Sequence, residues 1–431
     1  MQLRHLKTLM ESKKSIHKVT SICYSNDNNR IAVVTSDRIV YLFDENGEQK
    51  DRFSTKAAPK GPKNYIVRKM IFSPDSSLLA IAQSDNIVFV YKIGLNWGAK
   101  KAIVNKFRQQ SSVTCMTWPA NHPNEIVFGL EDGKVRIGQI RSNKAATMYA
   151  TESYVASCCS SPDGNAILSG HLDGSIYRFH FEGKGGTPTQ SKFAVHPCVP
   201  YCLAWGTSIF VAGNDRKVVF YDDDDASVER TFDYSNDDKV KEFTSVAMSP
   251  SSQCVVAGNF DRFYVYGYDA KSSMWEESSV KVIENLFTVT SLAWKADGSA
   301  LSVGSLCGVV DTYDACLRRC RYRGKYEFTY VSLSQVLVKT LSTGSVITLK
   351  SSHGYEITSI DIFQDRFIVA KTPRTLLAGD LDQCKLSEIM WRGSGKEKYD
   401  FTNPAVCMVY NAGELTLVEY GHNSILGSCR T

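Results

Sequence analysis

Residues 19–53 read VTSICYSNDNNRIAVVTSDRIVYLFDENGEQKDRF, and this stretch decides the fold. Val19-Thr20-Ser21-Ile22-Cys23-Tyr24 reads as a first strand, and Ile31-Ala32-Val33-Val34 is an unbroken apolar run of strand length, as expected of a strand buried on both faces. Ser36-Asp37-Arg38 is a short polar turn, after which Ile39-Val40-Tyr41-Leu42-Phe43 alternates as a half-buried strand paired through a tight hairpin. Gln49-Lys50-Asp51-Arg52-Phe53 closes the unit as a weaker fourth strand.

The pattern recurs along the chain. Later turns fall at Ser84-Asp85-Asn86, Glu131-Asp132-Gly133, Leu172-Asp173-Gly174, Asn214-Asp215-Arg216, Phe260-Asp261-Arg262 and Leu306-Cys307-Gly308, so by subtraction successive turns lie 41 to 48 positions apart. Apolar runs precede them, among them Leu79-Ala80-Ile81-Ala82, Ile209-Phe210-Val211-Ala212 and Val255-Val256-Ala257. Four short antiparallel strands per unit of about 40–45 residues is the signature of a WD-type propeller blade. Seven units fill one ring, and the alternating segment Leu3–Leu9 is placed to complete the last blade. Closure removes the free sheet edges that invite aggregation.

Beyond the ring the β pattern continues through Glu327–Val331, Ser345–Leu349, Ile357–Ile362, Phe367–Ala370 and Leu415–Tyr420. The expected fold is therefore all-β: a WD40-like seven-bladed β-propeller over residues 1–324, then the first two or three blades of a second, incomplete β-propeller over residues 325–431. Repeat units bury their faces only against neighbours, so this reading expects the second ring to be cut short.

Composition excludes several function classes. The 431 residues carry 50 Lys+Arg against 45 Asp+Glu, too mild an excess for a dedicated nucleic-acid binder. Thirteen cysteines, an odd number, fit a reducing compartment better than a disulfide framework. The opening Met1-Gln2-Leu3-Arg4-His5-Leu6-Lys7 has no signal-peptide core, and the longest apolar runs, such as Ile87-Val88-Phe89-Val90-Tyr91, are of strand length. Neither secretion nor a membrane span is expected.

The turn residues Asp37, Asp85, Asp132, Asp173, Asp215 and Asp261 are read as structural, because a carboxylate there accepts the turn's own N–H groups. Catalysis would need carboxylates that converge, and residues one blade apart on a ring diverge. Trp118, Trp205 and Trp294 hold matching inner-strand positions, which reads as core packing. His196, Cys198 and Cys202, like Cys316 with Cys320, resemble metal pairs, but in a strand an i, i+4 spacing separates side chains by about 13 Å, so no metal site is expected. Gly183-Lys184-Gly185-Gly186 sits in a hairpin and opens no helix, which excludes a phosphate loop. The eight histidines are scattered, and no nucleophile has a context to orient it. No enzyme activity, cofactor or small-molecule substrate is expected.

Charge placement is more informative. Turns after the second strand share one face of a propeller, so Arg38, Lys134, Arg216, Lys217 and Arg262 would ring one surface, joined by Lys13, Lys14, Lys18, Lys60, Lys63 and Arg108 from the connections entering each blade. The reading expects an anionic partner on this face, an acidic protein patch or phospholipid head groups. A solvated rim balanced by Glu131, Glu152, Asp237, Asp238 and Glu242 is the plainer alternative. The acidic run Asp222–Asp225 follows a third strand and is read as an exposed turn on the opposite face.

Longer stretches carry a resemblance. Ser73-Pro74-Asp75, Trp97-Gly98, Thr151-Glu152-Ser153-Tyr154-Val155, His196-Pro197-Cys198, Leu203-Ala204-Trp205, Thr231-Phe232-Asp233-Tyr234-Ser235, Cys316-Leu317-Arg318-Arg319 and Asn411-Ala412-Gly413-Glu414-Leu415 resemble, in register, the largest WD-repeat subunit of intraflagellar transport complex B. The resemblance implies a non-enzymatic scaffold whose propellers precede a helical-repeat tail, as in vesicle-coat subunits. It implies residence in the cilium or flagellum and basal body, with a cytoplasmic pool. The implied partners are other peripheral subunits of complex B, notably the one bearing a calponin-homology domain, and an anionic membrane surface. A coat-like or membrane-tethering scaffold outside the cilium is the alternative within binding proteins. A ubiquitin-ligase recognition propeller would want a helical adaptor-binding box, for which residues 1–16 are too short.

Overall fold

The computed structural model describes residues 3–12, 17–59, 64–94, 96–182, 186–270, 272–283, 288–393 and 395–430. All its regular elements are strands, grouped into ten four-stranded antiparallel sheets. The chain divides into two compact units, Met1–Ala315 and Cys316–Thr431.

Seven sheets make up the first unit. Blade one is built from Val19–Tyr24, Arg30–Thr35, Ile39–Asp44 and Gln49–Ser54 in that spatial order, and the next five blades repeat the plan. In blade seven the fourth position is taken by Arg4–Met10, which pairs antiparallel with Val310–Asp314 in five residue pairs. Thr8 Oγ1 donates to Asp311 Oδ1 at 2.6 Å, and a His5 ring nitrogen lies 3.1 Å from the same oxygen.

The ring is closed by packing. Among the described residues of the first unit, seven apolar clusters each lie between two neighbouring blades. Val34, Leu42, Ile81 and Phe89 join blades one and two, and Phe210, Phe220, Tyr264 and Trp275 join five and six. Tyr24, Val33, Ala293 and Val310 join blade one to blade seven. The second strands are buried on both faces because each packs against a blade on either side, which is why they read as continuous apolar runs. Inner strands are also tied across blades: Met70 N donates to Ser21 Oγ at 3.0 Å, Ile22 N to Ser291 Oγ at 2.9 Å, and Thr290 Oγ1 to Val19 O at 2.6 Å.

The second unit holds three four-stranded sheets. Its boundary differs from the 324/325 division that the sequence suggests. Arg318–Tyr322, placed with the first ring by that division, pairs instead with Tyr326–Tyr330 and begins the first sheet of the second unit. Tyr326, Phe328, Ile360 and Ile368 form the core between its first two sheets, and Phe367, Phe401, Cys407 and Tyr420 the core between the second and third.

Candidate interaction surface

In each of the first six blades one backbone bond ties the turn after the second strand to the residue that leaves the fourth strand. Thr55 N donates to Arg38 O at 3.0 Å, Gln109 to Asn86 at 2.8 Å, Thr151 to Gly133 at 3.0 Å, His196 to Gly174 at 2.8 Å, Tyr234 to Arg216 at 3.1 Å and Ile283 to Asp261 at 2.9 Å. Turns and inter-blade connections therefore lie at the same end of every sheet. This end carries the candidate surface.

All seven turns use one left-handed residue: Arg38, Asn86, Gly133, Gly174, Arg216, Asp261 and Gly308, with φ from 54° to 86°. The carboxylates hold the turns in different ways. Asp37 accepts from Ile39 N at 3.0 Å, Asp132 from Lys134 N at 3.3 Å, Asp173 from Ser175 N at 3.0 Å and Asp215 from Lys217 N at 3.2 Å. Asp85 instead turns into the protein and accepts from Ala58 N at 2.6 Å, and its burial pushes the carboxyl up from the usual range. Asp261 holds the guanidinium of Arg262 at 2.7 Å. Blade seven has no turn aspartate, and there Ser305 Oγ accepts from Val309 N at 3.0 Å.

The five basic candidates stand at this end. Lys134 pairs with Asp132 at 2.6 Å, Lys217 with Asp233 at 2.9 Å and Arg262 with Asp261. Arg38 lies over the Tyr65 ring at 5.1 Å. Arg216 is half-buried beside Lys217. Lys18 and Arg108 are exposed, whereas Lys13, Lys14, Lys60 and Lys63 lie outside the described residues, as do Gly183, Lys184 and Gly185. The counter-charges Glu131, Glu152, Asp237, Asp238 and Glu242 are also exposed. At least three of the five named cations thus carry a carboxylate partner, which dilutes their field.

The inner strands line a cavity of about 190 Å³ with Thr20, Ser21, Arg68, Lys69, Cys115 and Ser157 among its walls. Its lining is hydroxyl-rich and basic, without aspartate, glutamate or histidine. On the other end, Asp222 Oδ1 caps its own acidic turn by accepting from Asp224 N at 2.8 Å, and Asp223 pairs with Arg178 at 2.6 Å. Trp118, Trp205 and Trp294 are all buried, and Trp294 Nε1 donates across the blade boundary to Ala247 O at 3.0 Å. None of the thirteen cysteines forms a disulfide.

Comparison with known proteins agrees with this architecture. The WD domain, G-beta repeat pattern matches residues 5–44 and 142–179. A chain from a crystal structure of the mitotic checkpoint complex superposes with a TM-score of 0.59 at 17% identity, covering 72% of this chain and 91% of that one, a likeness of fold. Along its whole length the sequence is 53% identical to intraflagellar transport protein 172 of Chlamydomonas reinhardtii, 52% to the Homo sapiens homologue and 39% to intraflagellar transport protein osm-1 of Caenorhabditis elegans. It spans 25% of the length of each of these relatives. Matched from one end to the other at this identity, the WD-repeat propeller chain belongs to the intraflagellar transport protein 172 family.

Proposed function

We propose that this chain is a non-enzymatic platform of the intraflagellar transport train, working in the cilium or flagellum and supplied from the basal body and a cytoplasmic pool. The observation that carries this reading is the identity of 52–53% along the entire chain to relatives named for intraflagellar transport. A propeller suits the role physically, since a closed ring spends its polar backbone internally and leaves loops and outer strands free to bind other macromolecules. On this reading the turn end meets other peripheral subunits of complex B, the calponin-homology subunit among them, and Arg38, Lys134, Arg216, Lys217 and Arg262 favour an acidic partner or an anionic membrane.

A fluorescent full-length protein is expected to move in both directions along cilia with the other train subunits. A signal confined to cytosolic vesicles would sink the reading in favour of a coat outside the cilium. Changing Arg216, Lys217 and Arg262 together to glutamate is expected to reduce pull-down of train subunits and sedimentation with phosphatidylserine vesicles. If both stay at the wild-type level, the basic face has no part in binding.

A further inference from the structure

The turn end repeats the same three positions in blade after blade: the residue leaving one fourth strand, the residue two places later, and the aspartate of the next turn. Between blades three and four these are Thr151, Ser153 and Asp173, with Ser153 Oγ accepting from Asp173 N at 3.1 Å. Between blades two and three they are Gln109, Ser111 and Asp132. Between blades four and five the same positions hold His196, Cys198 and Asp215. One potential ligand atom from each of these three side chains lies within 4.8 Å of the other two.

His196 is 2% exposed. Its Nδ1 is 2.8 Å from the Tyr221 hydroxyl, while Nε2 is buried with no hydrogen-bond partner. A buried polar atom left unpaired is costly, so an orphan nitrogen on a histidine that shares a cluster with a thiol and a carboxylate calls for an explanation. The spacing argument against a metal at His196, Cys198 and Cys202 holds for Cys202, which is fully buried in the apolar cluster between blades five and six. Asp215 arrives in its place, 17 positions from Cys198 in the sequence, because blade five packs its hairpin turn against the loop that leaves blade four.

We propose that His196, Cys198 and Asp215 bind one divalent zinc-class metal ion that clips the exit loop of blade four to the hairpin turn of blade five. Nitrogen, sulfur and carboxylate donors form a borderline-soft set that suits Zn²⁺ or Co²⁺ and leaves a fourth tetrahedral position for water. Bond lengths of about 2.0–2.3 Å put tetrahedral ligands roughly 3.3–3.8 Å apart, so the donor set needs to close by about 1 Å. The surroundings favour this. When Nδ1–H donates to the Tyr221 oxygen, Nε2 keeps its lone pair for the metal, as in other metal sites where a neighbouring group fixes the ring. The ammonium of Lys217, two residues beyond Asp215, turns away to Asp233 at 2.9 Å. Pro197 and Pro200 stiffen the loop that presents Cys198. On binding, Cys198 releases its thiol proton to solvent and ligates as thiolate.

The test uses the whole 431-residue chain, stripped of metal and kept reduced with a phosphine. One equivalent of Co²⁺ is expected to produce a thiolate-to-cobalt absorption band in the near ultraviolet. Cys198→Ser is expected to lose that band, Cys320→Ser to keep it, and Tyr221→Phe to weaken metal affinity by about 10–100-fold. A readout on the unaltered chain covers the case in which a variant misfolds. One equivalent of Zn²⁺ is expected to protect Cys198 from iodoacetamide while the exposed Cys320 and Cys384 still react. No band at one equivalent, a band that survives Cys198→Ser, or a Cys198 that alkylates equally fast with and without Zn²⁺ would each overturn the site.

Discussion

Arg38 and Arg216 hold left-handed backbone conformations, φ 68° and 59°, at the turn position where three other blades place glycine. A side chain there costs about 1 kcal/mol against glycine, and a cost kept at two turns of the proposed binding end is consistent with guanidinium groups wanted at that end. Arg216→Gly is therefore expected to raise the stability of the first ring by about 1 kcal/mol in urea unfolding while weakening its capture by anionic vesicles. A loss of stability instead would mean that the Arg216 side chain contributes to packing. Two glutamates of the second unit carry a different residue-scale consequence. Glu388 is buried and accepts from Ser351 Oγ at 2.7 Å, Ser352 N at 2.6 Å and Thr375 Oγ1 at 2.7 Å. Burial opposes its ionisation, but these bonds outweigh that and hold its carboxyl below the usual range. Burial likewise opposes ionisation of Glu397, and the Lys371 ammonium at 2.7 Å overcomes it and brings the carboxyl from 4.5 to about 2. Both folded-state values are depressed, so the stability they give is complete above the unfolded glutamate range and is lost as pH falls toward about 2. Thermal melts at pH 5 and pH 3 are expected to show the second unit weakening over that window. Glu397→Gln should reduce the difference between the two melts.

At the scale of the element, the strand Arg4–Met10 is the piece that closes the first ring. It makes five residue pairs with Val310–Asp314, and at about 1 kcal/mol for each backbone bond such a pairing contributes a few kcal/mol, a sizeable part of a typical domain's stability. Removing residues 1–12 is expected to lower the melting temperature of the whole ring by more than about 10 °C and to open Val310–Asp314 to proteolysis. If the melt is unchanged, the ring is held by its inter-blade cores alone. Those cores set the other element-scale expectation. Phe220 stacks on Trp275 with ring centroids 4.4 Å apart between blades five and six, and both are fully buried. Phe220→Ala should cost about 3–5 kcal/mol, measured by urea unfolding.

Over the whole molecule, two compact units meet at Ala315/Cys316 in the sequence. A chain ending at Ala315 is expected to keep one cooperative transition within about 3 °C of that ring's value in the longer chain, because each of its blades has a neighbour on both sides. If the shorter chain melts broadly, the ring draws on residues of the second unit. Residues 316–431 alone are expected to be the less soluble piece, with Met390 at 60% and Leu426 at 59% exposure.

Much of this was legible without coordinates. Doubly buried second strands such as Arg30–Thr35 and Leu78–Gln83 announce themselves because two-sided burial makes their middle residues, Ile31 to Val34 and Leu79 to Ala82, unbroken apolar runs, and hairpin turns announce themselves because their chemistry is local. Arg318–Tyr322 escaped because an exposed, arginine-rich strand carries no apolar alternation and is defined only by its partner. The charge state of the turn end escaped as well, since Lys217 finds Asp233 on a neighbouring strand and Arg262 finds the turn carboxylate itself. Repeat length and hydrophobic order alone determined an all-β ring of blades. Only the tertiary structure decided which side chains from different blades meet, because a contact such as His196 with Cys198 and Asp215 depends on how one blade packs on the next, a relation that sequence spacing does not encode.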